Sequence, residues 1–411
     1  MKKCTVLLMA ALLVLCSLTS ALASDTDKIE LTVWHGFTSD ATKSTIEGLL
    51  DEFNTVQDEI VIRYESFSSS DLLQAYTLGV VSGELPDIGF NDNPGWASLC
   101  ELGVFSSIQD WFDTWSDKNV WRSNILASGY YEDELYGIPC GPNCLALWCN
   151  TEMLKKAGYD TAPTTWEEFA EVAKATTDPG NGVYGFAMGG SKGEAGTYQN
   201  MPWVLSAGGS IFDLKNEGTI AALTMINELF QNGYCSAESL NWTQSDALNQ
   251  FLAGNCAMYL SGSWNVATQR KKNPDIQYTC TAIPAYNGSS VSCLGGELIG
   301  ITSACQQREA AQSFLEWFLS KEVQLKFCKG CTRFSARSDV AADELFPDDA
   351  TMAVYAELLE TAGVRGPSPA WVSVSGVFQN VYQMVYTSAK TVEQAVTDAQ
   401  LEVDAIMAEY E

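Results

Sequence analysis

The sequence predicts an α/β protein built from two lobes, and three observations lead to this prediction. Strand-like alternation at 29–34 and 60–64 flanks a helical pattern at 42–53, as in a chain that alternates strand and helix. The chain has 411 residues, more than one hydrophobic core usually contains. Residues 135–150 pass from an extended Gly- and Pro-containing stretch into a short apolar run, as expected where a chain crosses between lobes.

The first 23 residues are predicted to be an export signal. Two lysines at 2–3 precede an apolar stretch at 6–18, and small residues suited to cleavage lie just before Ser24. The apolar stretch is shorter than the roughly 20 residues needed to span a bilayer, so we expect no membrane anchor there. Because Leu15 and not a small residue precedes Cys16, we also expect no attached lipid. The mature protein is therefore expected in the periplasm or at the cell surface.

Two polar loops follow predicted strands in the first part of the chain. The loop 35–40 follows the first strand, and the loop 91–95 follows a later strand at 85–91, after a helix near 72–83. In open α/β sheets, ligands bind beyond the carboxyl ends of the strands. We therefore expect both loops to contribute to a binding site.

The second half of the chain continues the alternation. Thr165 is predicted to cap a helix, with Glu168 three residues later. The Gly-rich stretch 185–196 lacks the Gly-Lys-Ser/Thr ending of a phosphate-binding loop, so we interpret it as a flexible connector. The other elements predicted after residue 150 are helices at 151–158, 246–254, 309–318 and 391–410 and strands at 256–261, 277–284 and 298–301. Without a low-complexity linker, two lobes must share the chain through several crossings.

The charge of the chain limits its partners. The formal net charge is −28 at pH 7. Nucleic acids and anionic membrane surfaces need basic patches, so both are excluded as expected partners. A strongly anionic ligand is disfavoured for the same reason.

Cysteine is unusually frequent for an exported protein. The sequence has 13 cysteines, and the odd number that follows residue 23 cannot all pair within one chain. Local candidates for disulfides are the pairs Cys140/Cys144, Cys280/Cys293 and Cys328/Cys331. The last pair ends a predicted helix, which argues against a redox-active motif. With one histidine, His35, a zinc site is not expected, and we interpret most cysteines as small apolar packing residues.

The order of several motifs resembles family 1 of the extracellular solute-binding proteins, the sugar-binding receptors of bacterial ABC importers. The resemblance covers nearly the whole chain after the export signal. It rests on LTVWHGF at 31–37, LPDI at 85–88, YGIP at 136–139 with LWCN at 147–150, PTTWEEF at 163–169, FLAGNCAM at 251–258 running into SGSW at 261–264, GG at 295–296 and the helix at 310–318. Cys149 departs from the family pattern, which commonly has a tyrosine before the Asn.

The resemblance implies a bilobal periplasmic-binding-protein fold of type II, with crossings near 140, 280 and 331. The first lobe would comprise 24–141 and 281–330, and the second 142–280 and 331–411. A carbohydrate, and an oligosaccharide in particular, would bind between the lobes, and the closed form would dock on the transmembrane subunits of an ABC permease. The resemblance implies no cofactor, no metal and no catalysis, and we expect a monomer.

The resemblance also points to strand-end loops and aromatic residues as the ligand site. Sugars present apolar faces and a rim of hydroxyls, so their sites combine flat aromatic rings with amides and carboxylates. The candidates are His35, Thr38, Ser39, Asn91 and Asp92 in the first lobe and Asn143, Tyr198, Trp203, Trp264 and Trp371 in the second, with Glu297 in addition. A tryptophan is more often a core residue, which we expect for Trp34, Trp121 and Trp166, and His35 could instead cap the neighbouring helix.

Two other functions remain as alternatives. A binding protein for a polyamine or another small cation would use acidic residues and the same tryptophans. A secreted glycosidase would need a defined pair of carboxylates, and no spacing in the sequence singles one out. A Ser-His-Asp hydrolase would have to use His35, and no Gly-x-Ser-x-Gly motif accompanies it.

Overall fold

The computed structural model describes residues 28–410. The predicted export signal at 1–23 lies outside the described residues. Within residues 28–410, no helix has both the length and the apolar composition needed to cross a membrane. The chain forms two lobes, each with its own sheet and flanking helices.

The strands and helices alternate along the chain as the sequence predicts. The strands are β1 (Ile29–His35), β2 (Ile60–Ser66), β3 (Ile88–Asp92), β4 (Tyr130–Tyr131), β5 (Glu134–Leu135), β6 (Ile138–Pro139), β7 (Leu145–Asn150), β8 (Tyr184–Ala187), β9 (Cys256–Gly262), β10 (Tyr278–Thr281) and β11 (Glu297–Ile301). The helices are α1 (Asp40–Val56), α2 (Ser69–Ser82), α3 (Trp96–Glu101), α4 (Gln109–Thr114), α5 (Ser123–Leu126), α6 (Thr151–Lys156), α7 (Trp166–Thr176), α8 (Glu194–Ser206), α9 (Glu217–Gln231), α10 (Gln244–Leu252), α11 (Asn265–Lys272), α12 (Arg308–Phe318), α13 (Lys321–Cys331), α14 (Ala342–Leu345), α15 (Ala350–Leu359), α16 (Trp371–Tyr386) and α17 (Val392–Met407).

The first sheet has the strand order β2-β1-β3-β11-β6. β1 pairs in parallel with both β2 and β3, whereas β11 is antiparallel to β3 and β6. Leu31, Val33 and His35 alternate with more exposed residues along β1, and all three are buried. Because β1 and β3 are parallel neighbours, the loops that follow them lie at the same edge of the sheet.

The second sheet has the strand order β10-β7-β9-β8. Every residue of β7 is buried, which explains why the sequence there is a continuous apolar run and not an alternating one. Leu145, Leu147 and Cys149 contribute to the core on one face, and Ala146 and Trp148 to the core on the other. Helices therefore cover both faces of this sheet.

Several local predictions are confirmed. The side chain of Thr165 accepts a hydrogen bond from the backbone N–H of Glu168, at 3.2 Å, and so caps α7. Ala310, Ala311, Phe314 and Phe318 are buried on one face of α12. Thr165 therefore caps α7 as predicted, whereas the Glu168 carboxylate accepts its hydrogen bonds from Thr164, one residue before the cap.

The interpretation of 185–196 as a flexible connector is wrong. Its first residues belong to the buried strand β8, and its last residues begin α8. Gly185 is glycine because the backbone of Ala173, in α7, passes so close that a Cβ would overlap it. The glycines here permit close packing, which composition alone cannot separate from flexibility.

The chain crosses between the lobes at three places, the third of them after Arg337, whose backbone is still bridged to Trp121 of the first lobe. The first crossing joins β6 to β7, and the second joins β10 to β11. These two crossings form a bridge, since Asn143 and Gly295 exchange backbone hydrogen bonds of 2.9 and 2.8 Å. The segment after α13 lies beside the first crossing, where Phe334 N–H donates to the carbonyl of Pro142 at 3.2 Å.

The cysteines are all unpaired thiols within residues 28–410. They are Cys100, Cys140, Cys144, Cys149, Cys235, Cys256, Cys280, Cys293, Cys305, Cys328 and Cys331, and all but Cys280 are buried. Burial raises the pKa of these thiols, Cys305 to about 11 and Cys235 and Cys293 to about 12. Packing is therefore the role that the structure gives them, and thiols of this kind are unreactive.

Candidate functional site

The bridge between the two crossings carries the first polar groups of the site. Asn143 is 4% exposed, and its Oδ1 accepts a hydrogen bond of 3.1 Å from the hydroxyl of Tyr198. The same hydroxyl lies 3.1 Å from the carbonyl of Cys293, in the second crossing. A Cβ at Gly295 would lie 2.6 Å from both Asn143 Oδ1 and Tyr198 Oη, so glycine at 295 makes room for this contact.

An aromatic pair lies on the second-lobe side of the bridge. The rings of Tyr198 and Trp264 are nearly parallel, at 22°, with their centroids 6.3 Å apart. Tyr198 comes from α8, and Trp264 follows β9 directly before α11. A Cβ at Gly262 would overlap the indole of Trp264, so the glycine in this turn lets the ring fold back over the strand end.

A guanidinium group lies at the centre of the site. Arg365 Nη2 is 3.1 Å from Asp92 Oδ2, and Arg365 Nη1 is 2.8 Å from Glu194 Oε1. The guanidinium carbon is 4.2 Å from the centroid of the Tyr198 ring, within the range of a cation–π contact. Because Asp92 ends β3 and Glu194 begins α8, this one side chain joins the two lobes.

Glu194 is held by two further donors. Ser375 donates a hydrogen bond of 2.6 Å to Glu194 Oε2, and the indole N–H of Trp371 donates one of 3.2 Å to Oε1. Both donors lie in the first turns of α16. Two second-lobe donors therefore orient the carboxylate together with Arg365.

A second ion pair lies next to the crossings. Glu297, at the start of β11, forms an ion pair with Arg333, and the Arg333 guanidinium lies 5.3 Å from the centroid of the Phe37 ring. The carbonyl of Glu297 also accepts a hydrogen bond of 3.0 Å from the N–H of Cys140. This pair thus connects the first lobe to the base of the first crossing.

Burial and charge oppose each other at these groups. Desolvation raises the pKa of Glu194, and the attraction of Arg365 and the hydrogen bond from Ser375 offset only part of that rise. Desolvation also opposes the charge on Arg365, but the carboxylates outweigh it and the pKa of Arg365 is raised. Desolvation raises the pKa of Tyr198 well above its ordinary value. At neutral pH, Arg365 is therefore a fixed cation and Tyr198 a neutral hydroxyl.

The structure brings together more than half of the residues predicted from the sequence. Around the bridge and Arg365 lie Asp92, Asn143, Tyr198, Trp264, Glu297 and Trp371. Asn91 precedes Asp92 in β3 and is 8% exposed, with its amide bonded to the carbonyl of Asp92 at 3.0 Å. Thr38 and Ser39 are exposed in the loop after β1, where Ser39 caps α1.

The structure places His35 elsewhere, in the core of the first lobe. Its side chain is completely buried and points to α1, where Nε2 is 3.9 Å from Glu47 Oε1. Burial lowers the pKa of His35 to about 4, and the charge of Lys43 contributes to this. His35 is therefore not among the side chains that meet at the crossings.

Trp203 also lies away from the crossings, in the core of the second lobe. It is 0% exposed, and its ring centroid lies 4.9 Å from that of Phe169, 6.1 Å from Phe186 and 6.2 Å from Trp166. Tyr198 and Trp203 are five residues apart in α8 and therefore face different sides of the helix. The helix presents Tyr198 to the crossings and Trp203 to the sheet.

Sequence reasoning missed three charged residues of the site. Glu194 stands in the stretch that we interpreted as a connector, and Arg365 and Arg333 stand in loops without a motif. A usable signal was the scarcity of cations, with 23 Lys and Arg against 51 Asp and Glu. An arginine in a Gly- and Pro-rich loop of so acidic a chain is a candidate for an internal partner.

The side chains at the site suit the binding of a small polar molecule. Within residues 28–410, no group of three or more His, Cys, Asp or Glu side chains is placed to hold a metal ion. The site offers flat rings, a planar guanidinium, carboxylates and an amide, which together can contact both the faces and the hydroxyl rim of a small polar molecule.

Comparisons with known proteins bear on the fold and the family of the chain. A probable amino-acid ABC transporter periplasmic-binding protein of Sinorhizobium fredii is 26% identical over 375 residues, 85% of this chain and 83% of that protein. An ABC transporter solute-binding protein of Thermotoga lettingae, solved with α-D-tagatose, has a TM-score of 0.82 and 25% identity, covering 92% of this chain and 100% of that chain. Maltose-bound MalE3 of T. maritima also has a TM-score of 0.82, at 20% identity and with the same coverage. The family model of the bacterial extracellular solute-binding proteins matches residues 48–354, and the chain therefore belongs to that family.

Proposed function

We propose that this protein is the extracytoplasmic receptor of an ABC importer and that it captures a carbohydrate, an oligosaccharide in particular, between its lobes. The observation that carries the proposal is the aromatic pair of Tyr198 and Trp264 beside the amide of Asn143 and the Arg365 group. Aromatic faces and planar polar groups match the two kinds of surface on a sugar ring. The tagatose and maltose complexes of the two structural relatives support the same ligand class.

The charges at the site favour a neutral ligand over a polyamine. Asp92 and Glu194 both bind Arg365, and Glu297 binds Arg333. A cationic ligand would have to compete with these guanidinium groups for the carboxylates. An amino-acid ligand, as the name of the S. fredii relative suggests for that protein, would meet the same competition for its ammonium group.

Within this proposal the ligand is released unchanged to a permease. Asp92, Asn143, Tyr198, Trp264, Glu297 and Trp371 are its contacts at the crossings, with Thr38, Ser39 and Asn91 at the edge of the first lobe. Export would use residues 1–23, without a lipid on Cys16, and the mature protein would act as a monomer. N-terminal sequencing of the secreted protein should then begin at Ser24.

A thermal-shift screen tests the ligand class. A ligand that binds the folded protein stabilises it by about 2.7 kcal/mol at a hundred times its dissociation constant. We expect neutral mono- and oligosaccharides, including tagatose and maltose, to contain the compound that raises the midpoint. Spermidine, putrescine or an amino acid raising it while all neutral glycans fail would overturn the proposal.

Trp264→Ala identifies the site once a ligand is found. Loss of an aromatic face from a sugar site should remove most of the ligand-induced shift while the unliganded protein stays folded. Trp317→Ala is the matched control, since Trp317 is another half-buried tryptophan, packed on Phe53 at 5.0 Å in the first lobe. An unchanged shift in Trp264→Ala would place the ligand elsewhere.

A further inference from the structure

The two rings of the aromatic pair are carried by different elements, and a buried glutamine joins these elements. Tyr198 lies in α8, whereas Trp264 follows the end of β9. Gln199, the next residue of α8, is 0% exposed, and its Nε2 donates a hydrogen bond of 3.1 Å to the carbonyl of Leu260 in β9. This bond therefore fixes the part of α8 that carries one ring against the strand end that carries the other.

A buried tyrosine holds the next residue of β9. Tyr355, in α15, is 0% exposed, and its hydroxyl donates a hydrogen bond of 2.8 Å to the carbonyl of Ser261. The same hydroxyl accepts a hydrogen bond of 2.9 Å from the indole N–H of Trp148 in β7. Two successive carbonyls just before the turn that carries Trp264 are thus bound by side chains from helices outside the strand.

Core packing alone does not require a glutamine at position 199. Within residues 28–410, the Oε1 of Gln199 has no hydrogen-bond partner, so burial of the amide carries a desolvation cost that its one hydrogen bond offsets only in part. A methionine would fill nearly the same volume without that cost. What the glutamine adds is one directed bond, which sets where α8 lies relative to β9.

We propose that Gln199 and Tyr355 are positioning residues that set the distance and the angle between the rings of Tyr198 and Trp264. The proposal rests on the proposed function, in which these rings form the face that contacts a carbohydrate. A binding site keeps its geometry only when hydrogen bonds and packing behind it hold its contact residues in place. Neither Gln199 nor Tyr355 has to contact the ligand for this effect.

Gln199→Met tests the proposal in the unliganded protein. With 5-fluorotryptophan incorporated, the ¹⁹F resonance of Trp264 is the one that Trp264→Phe lacks, and it should shift or broaden in Gln199→Met. Gln324→Met is the matched control, because Gln324 is also 0% exposed and its Nε2 donates to a carbonyl, that of Phe318, at 3.2 Å. Gln324 lies in α13 of the first lobe, so its replacement should leave the Trp264 resonance unchanged.

The affinity for a carbohydrate separates positioning from stability. Both glutamine variants lose one buried hydrogen bond, so the midpoint of unfolding should fall by a similar amount in the two. The dissociation constant should rise about fivefold in Gln199→Met, the factor equivalent to one ordinary hydrogen bond, and should stay unchanged in Gln324→Met. A lower midpoint in Gln199→Met with an unchanged dissociation constant would mean that Gln199 supports only the core.

A second variant covers the case in which Gln199→Met fails to fold. Tyr355→Phe keeps the ring and removes the hydroxyl, and Tyr76→Phe is its control, since the buried hydroxyl of Tyr76 donates to the carbonyl of Phe90 at 3.0 Å in the first lobe. The Trp264 resonance should change in Tyr355→Phe and not in Tyr76→Phe. An unchanged resonance in the folded variants of Gln199 and Tyr355 would overturn the proposal. If the resonance changes but the wild type binds no carbohydrate, the positioning role stands and the proposed ligand class fails.

Discussion

Arg337 and Arg365 have the same chemistry in two different places. Both side chains are almost removed from solvent, at 3% and 2% exposure, and each binds two carboxylates. Arg337 binds Asp117 and Asp339, donates to the carbonyl of Leu319 at 2.8 Å and is bridged by its backbone to Trp121, so all its partners lie on the first-lobe side of the third crossing. The partners of Arg365 belong to different lobes. A buried ion pair stabilises the arrangement that brings its partners together. For Arg337 that arrangement is the packing within one lobe, and for Arg365 it is the closed position of the two lobes.

The same distinction separates the other buried polar and aromatic groups. His35 lies inside the first lobe and Trp203 inside the second. Trp264 and Ser375, in contrast, belong to the cluster of side chains where the two lobes meet. Changes inside a lobe should lower the free energy of unfolding and spare the ligand. Changes between lobes should alter ligand binding or opening and spare the fold.

Trp203→Ala should have the largest effect on stability. Removing a fully buried tryptophan leaves a cavity, and we expect the free energy of unfolding to fall by about 3 to 5 kcal/mol. The ligand affinity of the folded protein should stay within about twofold of the wild type, since the aromatic pair is intact. Urea unfolding and a ligand titration measure the two quantities. A large loss of affinity with unchanged stability would instead return Trp203 to the ligand site.

His35, which lies inside the first lobe, should make the stability of the protein depend on pH. The folded protein holds its pKa near 4, against 6.5 in the unfolded chain, because burial disfavours the charged ring. Between these values the unfolded chain binds a proton that the folded protein does not. Stability from this group is therefore complete above pH 6.5 and is lost as the pH falls towards 4, by about 3 kcal/mol at most.

His35→Gln should remove this part of the pH dependence. Urea unfolding of both proteins at pH 7 and pH 4.5 measures it, and the acidic groups that titrate in the same range contribute equally to both. Lys43, Glu47 and Tyr64 are the titratable groups around the ring. Equal pH dependence in the variant and the wild type would show that His35 does not titrate as its burial requires.

The fold could be predicted from the sequence because its elements are local patterns. The alternation of β1 shows that one face of that strand is covered, and the apolar run of β7 shows that both faces are covered. Both patterns can be recognised from consecutive residues of the sequence. The same alternation puts His35 on the face of β1 that carries Leu31 and Val33. This pattern alone predicts that His35 is buried in the core with them.

The centre of the site could not be predicted in the same way. Arg365 contacts Asp92 and Glu194, which are 273 and 171 residues away in the sequence. Nothing local to Arg365 indicates either partner, because the contact exists only after both lobes have folded and closed. Trp264 was accessible from the sequence because a strand end and a glycine turn define its position locally.

Ser375→Ala should have the smallest effect and is the sharpest test between the lobes. The variant removes the 2.6 Å hydrogen bond to Glu194 but leaves the bonds from Arg365 and Trp371. A hydrogen bond to a charged group contributes about 1.5 kcal/mol, but Ser375 and Glu194 both lie in the second lobe and stay bonded whether the cleft is open or closed, so the variant should mainly lower the free energy of unfolding by about that amount. The ligand association rate, followed by stopped-flow tryptophan fluorescence, should change by less than about twofold. Ser128→Ala, which removes a 2.8 Å hydrogen bond to the carbonyl of Ile125 in the first lobe, should leave the rate unchanged. A large change in the association rate would instead mean that the orientation of Glu194 controls the opening of the cleft.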